Sequence, residues 1–578
     1  MIKRYRSYWE ERTKRPLLPV QKEVFSRKGL LDPLKNVIIL SPTSSGKSLI
    51  VEYFILHTLS QGKKVVYLSP FKSILLEKRK EFCEWMGLLN IDVKFSIHEE
   101  SSDDNEIFKG NYDVLLTVYE KFGYFLQKKG HFLGNIGLIV FDEFTIIEDQ
   151  KRGPYIDILL SYIKKANKKI LITSSFFHSP EKLATYLNAE LIISNKRTTP
   201  LRIGYFDSGV FYWKTEEGLE GEEVIIKDFS HGEDDFLILL ETLWMRHDTS
   251  IVFFPTRMQA RHVLSYMEGR LPPLYENNVD IPDLPHTLFS EKLSSYILKG
   301  LGYHSRDLTY PERRYIEELA YNGKIRLLFA TTTLAFGVNL PFRNVVFPGN
   351  FPVSKGVLNN MIGRAARGNM FEYGRAIFFT KGDIKVKDEE TVLPVKFKDP
   401  YEEYTFFLRR ITFDIHDKEL YLVYDGKKET EDIYAFLRAN GLIKADEQGV
   451  FPTLLGKMLA TSGIDISSFL QLIQILQHEK YDKWEELVYH FTGIDILFHF
   501  YLDPVSRGDY FSWWPALQEI INVSLPIGHY TNKDFNRFRK TLIIRDFVRG
   551  EELYSIEKKY KITAGILLEF VDKFVWVL

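Results

Sequence analysis

The sequence has little cysteine and no long apolar run. Its 578 residues include one cysteine, Cys83, which excludes an internal disulfide framework, a cysteine zinc site and a four-cysteine iron–sulfur cluster. No segment approaches the ~20 consecutive apolar residues of a membrane span. The N-terminal segment MIKRYRSYWEERTKRP is charged throughout and lacks the apolar centre of a secretory signal. We therefore expect a soluble cytoplasmic protein without membrane contact.

An excess of charge of either sign is also missing. The chain has 76 Lys and Arg against 77 Asp and Glu, so a polyanion would have to be held in a local groove. Hydrophobic residues make up 45% and charged residues 26%, as in ordinary folded proteins, and there is no low-complexity linker. A chain of this length exceeds a single hydrophobic core and predicts several domains.

The apolar pattern predicts an α/β protein with a helical C-terminal part. Short Val/Ile/Leu-rich runs such as NVIIL, KVVYL and IGLIV alternate with helical stretches, which is typical of buried parallel strands in a doubly wound sheet. The rhythm restarts with SIVFF and IRLLFA, and later gives way to helical periodicity and a predicted wing, KADEQGVFPT. The predicted domains are two tandem α/β domains at 1–197 and 198–388, a winged helix at 389–465 and a helical bundle at 466–578.

The strongest local motif is SPTSSGKS, from Ser41 to Ser48, between the strand NVIIL and an apolar helix. A loop in this position predicts a phosphate site, because backbone N–H groups and the positive end of the helix surround an anion. Lys47 would add a positive charge, and the Ser48 hydroxyl would ligate Mg²⁺. The alternative is a surface GKS turn with no phosphate-binding role, since Ser41 stands where the general pattern has glycine. The remaining loop residues expected around the phosphates of ATP are Thr43, Ser44, Ser45 and Gly46.

Two acids follow the apolar strand IGLIV about a hundred residues later. Asp142 and Glu143 would lie at the carboxyl edge of the sheet, where ligands bind in such folds. Asp142 would hold Mg²⁺, and Glu143 would orient and deprotonate the water that attacks the γ-phosphate. Elsewhere such a pair is usually a solvated charge pair, so its position after a phosphate loop carries the prediction.

Two arginines in the second α/β domain, Arg364 and Arg367, lie three residues apart in GRAARG. This spacing puts both guanidinium groups on one side of a helical turn, so both could reach one phosphate. Arginines that meet the γ-phosphate from a facing domain stabilise transition-state charge. The alternative is that they bridge surface acids.

These motifs, with others in the same order, resemble the superfamily-two DExH-box helicases of the Ski-like branch, close to the archaeal repair helicases and the helicase part of DNA polymerase theta. The resemblance runs from LLPVQ through LSPFKSILLEK, LLTVYEKF, the acidic motif and its continuation EDQKRGPYIDIL, and Thr173-Ser174-Ser175. It continues through FFPTR, GYHSRDLTYPERR and FATTTLAFGVNLP into the winged-helix and bundle segments. It covers nearly the whole chain.

The resemblance implies two RecA-like domains that hold ATP and Mg²⁺ between them, and movement 3′ to 5′ on single-stranded nucleic acid, DNA being favoured over RNA. It assigns Gln21 to the adenine and adds Gly337 and Asn339 to the nucleotide site. It also implies a groove with phosphate contacts and no base readout. The residues that would line this groove are Pro70, Lys72, Thr117, Thr256, Arg257 and Thr333.

Departures from the family pattern limit what can be expected of the helicase activity. Thr145 replaces a histidine and Asn360 a glutamine, two residues that communicate across the cleft in the family. The segment between GVNLP and GRAAR is short where the archaeal proteins have a strand-separating hairpin, so translocation is better supported than processive unwinding. The alternatives are an RNA helicase, a nucleic-acid-binding scaffold with little turnover, and the motor subunit of a nuclease or defence complex. We expect a monomer, for which a nuclease or repair protein is a candidate partner.

Overall fold

The computed structural model describes most of the chain, in separate stretches of described residues. These are residues 10–11, 14, 16–42, 45–97, 101–128, 131–177, 179–197, 199–229, 232, 235–275, 281–335, 340, 342–349, 353, 355–366, 371–379, 395–397, 399–416, 419–422, 424–425, 430–447, 449–477, 481, 483–520 and 530–578.

Strands occupy the first three quarters of the described chain. In chain order they are β1 (Asn36–Leu40), β2 (Lys64–Leu68), β3 (Val93–Ser96), β4 (Val114–Thr117), β5 (Ile136–Asp142), β6 (Lys169–Ser174), β7 (Ala189–Ile193), β8 (Leu201–Asp207), β9 (Val210–Thr215), β10 (Glu220–Val224), β11 (Ser250–Phe253), β12 (Leu301–His304), β13 (Leu327–Ala330), β14 (Asn344–Phe347), β15 (Gly374–Phe378), β16 (Val395–Lys396), β17 (Tyr424–Asp425), β18 (Ile443–Asp446) and β19 (Gly449–Pro452).

Helices connect the strands and make up the C-terminal part. They are α1 (Pro19–Ser26), α2 (Lys47–Ser60), α3 (Lys72–Leu88), α4 (Asp104–Lys109), α5 (Tyr119–Lys128), α6 (Gly153–Lys165), α7 (Pro180–Leu187), α8 (Asp235–Met245), α9 (Arg257–Arg270), α10 (Ser290–Leu298), α11 (Tyr310–Tyr321), α12 (Lys355–Ile362), α13 (Pro400–Phe413), α14 (Thr430–Ala439), α15 (Leu454–Ser462), α16 (Ile466–Gln477), α17 (Trp484–Phe491), α18 (Asp495–Phe498), α19 (Arg507–Gln518), α20 (Asn532–Val548), α21 (Leu553–Tyr560) and α22 (Ala564–Val577). Short 3₁₀ helices lie at Lys28–Leu31, Phe144–Glu148 and Thr332–Ala335.

The chain divides into two compact units. The first contains residues 1–230 and 334–463, and the second contains residues 231–333 and 464–578. The first unit holds a parallel sheet of seven strands in the order β3-β4-β2-β5-β6-β1-β7. This order brings the carboxyl ends of β1, β5 and β6 side by side, which is where the predicted phosphate loop and acids lie.

Both faces of this sheet are covered, which explains why its strands read as continuous apolar runs. Ile38 and Leu40 of β1 belong to the core on one face, whereas Val37 and Ile39 belong to the core on the other. The alternation follows from the two-residue period of a strand. Two layers of helices therefore hold the sheet edge in place from both sides.

The first unit also contains strands of the second α/β region and the winged helix. There β14, β15 and β8 pair in parallel, and β8, β9 and β10 form an antiparallel meander. The hairpin β18–β19 forms the wing between α14 and α15.

A fully buried carboxylate, Asp157 of α6, accepts hydrogen bonds from the backbone N–H groups of Tyr421 (2.8 Å) and Leu422 (2.9 Å) and from the Tyr424 hydroxyl (2.9 Å).

The second unit combines three parallel strands with the helical bundle. The strand β13 pairs with β11 and with β12. The bundle helices α17 to α22 share one apolar core that includes Leu542, Ile543, Leu567 and Phe570. The buried guanidinium of Arg539 donates to the backbone carbonyls of Asp503, Tyr560 and Lys561, and so fixes α20 against two loops of the bundle.

The predicted fold class is confirmed: the protein is α/β, with RecA-like sheets, a winged helix and a helical C-terminal bundle. The domain boundaries at 197, 388 and 465 stay predictions. In the part of the chain that the structure describes, no helix has the length and apolar character needed to cross a membrane.

Candidate nucleotide-binding site

The predicted phosphate loop connects β1 to the first residue of α2. Ser41 follows β1 directly; its backbone N–H donates to the Ser174 carbonyl at 3.1 Å, and its hydroxyl lies 2.6 Å from the Ser45 hydroxyl. Ser41 is fully buried and is not among the residues with positive φ, so serine is compatible with a position where the general pattern has glycine. Thr43 and Ser44 lie outside the described residues.

Gly46 and Gln21 are in direct contact. The Gln21 side-chain amide donates to the Gly46 carbonyl at 2.9 Å, while its oxygen accepts from the Leu18 backbone N–H at 2.9 Å. Gly46 has φ +86°, a conformation that favours glycine, and an added Cβ would overlap the Gln21 amide nitrogen. The residue expected at the adenine is thereby held against the phosphate loop.

The first two residues of α2, Lys47 and Ser48, both have polar partners at the predicted site. The Lys47 ammonium donates to the carbonyls of Ser41 at 2.7 Å and Pro42 at 3.0 Å, so it lies over the loop. The Ser48 hydroxyl accepts from the Lys78 ammonium at 2.8 Å. Lys47 is thus positioned at the loop, and the predicted metal ligand Ser48 already contacts a positive charge.

Asp142 ends β5 at the same sheet edge. Its Oδ1 accepts from the Thr173 hydroxyl at 2.7 Å, and its Oδ2 accepts from the Tyr67 hydroxyl. The Tyr119 hydroxyl donates to the Asp142 backbone carbonyl at 3.2 Å. Burial, reinforced by the negative charge of Asp142, raises the pKa of Tyr67 well above its ordinary value, so this tyrosine remains a proton donor. The carboxylate is therefore held in one orientation.

Glu143 has a strained backbone. Its φ of +51° and ψ of +49° place a non-glycine residue in the left-handed region, immediately before the 3₁₀ helix Phe144–Glu148. Such conformations cost about 1–3 kcal/mol and concentrate at functional sites. The next turn is tied to β6, because the Thr145 backbone N–H donates to the Ser174 hydroxyl at 3.1 Å. The segment Thr173–Ser174 thus contacts the acidic motif through Asp142 and Thr145, and the phosphate loop through Ser41.

The arginine motif begins at the end of α12. Arg364 is buried with 3% exposure, and so is Asn360 on α12. Among the described residues the Asn360 side-chain oxygen has no hydrogen-bond partner, which is unusual for a buried polar atom. Arg367, Gly337 and Asn339 lie outside the described residues, so a second wall of the nucleotide site stays a prediction.

The first two candidate nucleic-acid segments are joined by one arginine. Arg152 donates from Nη1 to the Pro70 carbonyl at 2.9 Å and makes a two-pronged contact with Glu120 at 2.8 and 3.0 Å. Lys72 is exposed at the first position of α3. Thr117 is fully buried, and its hydroxyl donates to the Ser96 carbonyl at 2.5 Å, inside the sheet.

The other candidates lie in the second α/β region. Thr256 is exposed and caps α9, where its hydroxyl accepts from the Gln259 N–H at 3.2 Å. Arg257 pairs with two carboxylates, Asp307 at 2.6 Å and Asp503 at 2.8 Å, the latter from the bundle. The side chain of Thr333 lies outside the described residues. None of these contacts decides a role in nucleic-acid binding, which stays a prediction.

Sequence reasoning missed three residues of the site. Tyr67 is the only aromatic residue in the otherwise aliphatic strand KVVYL beside β5, and this signal could have been used. Lys78 lies in the charged run EKRKE and is indistinguishable there from a solvated lysine. Arg152 was part of a matched motif, but nothing in its spacing indicated Pro70 or Glu120 as partners.

Two protein families match the chain. Residues 18–183 match the DEAD/DEAH box helicase family, and residues 275–369 match the helicase conserved C-terminal domain. A solved structure, the DUF1998 helicase MrfA bound to DNA, covers 81% of this chain and 64% of its own, with a TM-score of 0.56 and 15% identity. This likeness supports the fold.

Curated relatives are archaeal proteins named ATP-dependent DNA helicase Hel308. The protein of Caldivirga maquilingensis is 32% identical over 416 residues, 67% of this chain and 52% of the relative. That of Pyrococcus horikoshii is 30% identical over 374 residues, 62% and 50% respectively. That of Thermoplasma acidophilum is 25% identical over 580 residues, 94% and 80%. The chain spans about half the length of the first two. These matches confirm the resemblance to superfamily-two helicases that the motifs predict.

Proposed function

We propose that this protein is an ATP-driven DNA helicase or translocase that hydrolyses ATP to ADP and phosphate. The observation that carries the proposal is the junction of three segments at one sheet edge. The phosphate loop, the acid Asp142 and the segment Thr173–Ser174 are linked there by direct hydrogen bonds. Through such a junction, binding or hydrolysis of the nucleotide can change the conformation of segments that are distant in sequence.

In this proposal each wall of the site has its own task. Lys47 turns from the loop carbonyls to the β- and γ-phosphates, and the N–H groups at the start of α2 bind the same anion. Glu143 accepts a proton from the attacking water, a task that suits a carboxylate held in a strained conformation at the sheet edge. Arg364 and Arg367 stabilise the charge that develops on the γ-phosphate. The adenine is read by Gln21.

The residues present also suit Mg²⁺. Ser48 and Asp142 supply the hydroxyl and carboxylate oxygens that this hard cation prefers, and a positive charge, that of Lys78, already stands at the Ser48 hydroxyl at 2.8 Å. When bound, Mg²⁺ would neutralise charge on the β- and γ-phosphates. Thr173 and Tyr67 keep the Asp142 carboxylate oriented for it.

DNA is the proposed substrate because the curated relatives are named as DNA helicases, and 3′ to 5′ is the proposed direction because the motifs resemble that family. Support for the groove comes from Arg152, which holds the Pro70 carbonyl and Glu120 at a fixed spacing, so that the segments beginning at Lys72 and Thr117 keep one register for a strand. Binding through phosphates should be weakened by salt and tolerate any sequence.

The decisive experiment measures ATP turnover with no nucleic acid, with single-stranded DNA and with single-stranded RNA of equal length. We expect stimulation by DNA. Equal or greater stimulation by RNA would indicate an RNA helicase. Turnover that no nucleic acid stimulates would contradict the motor proposal and favour a nucleic-acid-binding scaffold.

A strand-displacement assay then separates unwinding from translocation. A 3′-tailed duplex, a 5′-tailed duplex and a blunt duplex are compared at saturating ATP, and removal of a bound protein block from single-stranded DNA reports translocation. We expect block removal from a 3′ approach, with weaker displacement of duplex. Block removal without any displacement would favour the motor-subunit reading, in which strand separation belongs to a partner.

A further inference from the structure

Lys78 belongs to α3, yet its ammonium lies at the nucleotide site. Its Nζ donates to the Ser48 hydroxyl at 2.8 Å and to the Glu81 carboxylate, one turn further along α3, at 2.6 Å. Only 15% of the Lys78 side chain is exposed. The lysine therefore has two partners, one at the start of α2 and one on its own helix.

The surroundings of Lys78 keep it charged. Burial opposes the positive charge, but the carboxylates of Glu81 and, further away, Asp142 and Glu77 outweigh it and raise the pKa of Lys78. Asp142 and Ser48 are the two side chains proposed to hold the metal. A cation thus contacts one of the proposed metal-binding groups, Ser48, in a mostly buried position where charges interact strongly.

We propose that Lys78 is a positioning residue that holds the Ser48 hydroxyl, and that it gives up Ser48 and keeps only its contact with Glu81 when a divalent cation binds with the nucleotide. The inference rests on the proposed ATP site. A hydroxyl oxygen that ligates Mg²⁺ cannot keep an ammonium donor beside the same ion without strong repulsion between like charges.

The displacement would be transmitted through α3. This helix begins at Lys72, directly after Pro70 and Phe71, in the segment proposed to contact the nucleic-acid strand. Six residues, less than two turns, separate Lys72 from Lys78, so a change of partner at Lys78 acts on the same rigid element. Lys78 would thereby couple metal–nucleotide occupancy to the grip on DNA.

The test measures binding of a fluorescent ATP analogue without nucleic acid, as a function of Mg²⁺ concentration, so that turnover is not the readout. Lys78→Gln removes the competing charge, and we expect the Mg²⁺ concentration at half-saturation to fall by about tenfold. Lys78→Arg keeps the charge and should stay within about twofold of the wild type. Lys80→Gln removes an exposed charge from the same helix and should change nothing.

A second variant should change the half-saturating Mg²⁺ concentration in the opposite direction. Glu81→Gln removes the negative charge of the second partner and leaves only a neutral amide oxygen, so Lys78 should hold Ser48 more firmly and the half-saturating Mg²⁺ concentration should rise by about threefold. This variant also covers the case in which Lys78→Gln does not fold.

An unchanged or raised Mg²⁺ requirement in Lys78→Gln would overturn the inference, as would an unchanged or lowered requirement in Glu81→Gln. If the wild-type protein binds no metal–nucleotide complex at all, the proposed function fails instead, so the two failures are distinguishable.

Discussion

The buried carboxylate of Asp157 should make one contact of the protein sensitive to pH. Asp157 lies within the apolar core of the first unit and accepts three hydrogen bonds from the segment Tyr421–Tyr424. Burial raises its pKa from the ordinary 3.8 to about 7, against the lowering effect of the two backbone N–H groups and the Tyr424 hydroxyl. We predict that this segment is released more readily as the pH rises from 5 to 8.

The sign and size follow from proton linkage. Between pH 3.8 and about 7 the closed state keeps a proton that the opened state gives up, so the free energy of opening falls as the pH rises through this window. One pKa unit corresponds to about 1.4 kcal/mol. From pH 5 to pH 8 the segment should therefore lose about 3 kcal/mol of opening free energy, or roughly a hundredfold in protection.

Native-state hydrogen exchange of peptides covering Tyr421 to Tyr424, corrected for the intrinsic pH dependence of exchange, measures this directly. Asp157→Asn cannot ionise and should give a flat profile. It should cost a uniform ~1–3 kcal/mol, because an amide NH₂ accepts no hydrogen bond and at least one of the three donors loses its partner. Asp414→Asn, in which an exposed carboxylate paired with Lys165 is lost, should retain the wild-type profile. A flat wild-type profile would refute the reasoning.

Three further predictions concern the candidate nucleotide site and the segments beside it. Glu143→Gln should keep ATP binding and lower hydrolysis by about 10²–10⁴-fold, the usual contribution of a general base, whereas Lys47→Ala should weaken nucleotide binding itself; equilibrium binding and turnover, measured together, separate the two. Gly46→Ala should weaken nucleotide binding and lower the melting temperature, because the added Cβ overlaps the Gln21 amide and lies 2.8 Å from Leu18 Cδ1. Arg152→Lys keeps a charge but loses the two-pronged contact with Glu120, so single-stranded DNA affinity should fall by several-fold at unchanged ATP affinity.

Matched variants test each of these predictions. Gly62 also has a positive φ, +70°, but an added Cβ there would have no neighbour within 4 Å. Gly62→Ala therefore separates the conformational cost from the collision at Gly46, and equal effects would contradict a role for Gln21. Lys22→Ala removes an exposed lysine near Gln21 and should leave nucleotide binding intact. Normal turnover in Glu143→Gln would remove that residue from the catalytic assignment, and an equal loss of ATP and DNA binding in Arg152→Lys would indicate general unfolding.

Much of the fold follows from the sequence because its strands are apolar throughout. Burial of runs such as NVIIL and IGLIV is favourable whichever elements pack against them, so their buried state could be predicted from the local sequence. Ser41, which follows β1, and Asp142, which ends β5, lie at one sheet edge as predicted, for a related reason. Parallel strands carry their loops to the same edge, and so residues that follow different strands meet there.

The partners of individual polar side chains could not be predicted in this way. Thr117, a predicted groove residue, donates to the Ser96 carbonyl, and Arg257, another, pairs with Asp307 and Asp503. Their role at a groove stays a prediction, but these partners were not predicted. Both residues were predicted from motifs that resemble those of the family, and motif position did not reveal their contacts. A polar side chain takes the nearest donor or acceptor in space, and that neighbour is set by how helices and loops pack.

By itself, then, the sequence determined the buried parallel strands, the helical bundle and the positions of Ser41 and Asp142 directly after β1 and at the end of β5, because these depend on local apolar periodicity and on where a strand ends. Only the tertiary structure decided that Tyr67 and Thr173 orient Asp142, that Arg152 joins Pro70 to Glu120, and that Lys78 reaches Ser48 from another helix. Those pairings join residues from about 30 to more than 80 positions apart. Desolvation of each polar group makes its pairing energetically necessary, whereas the choice of partner depends on the packed chain.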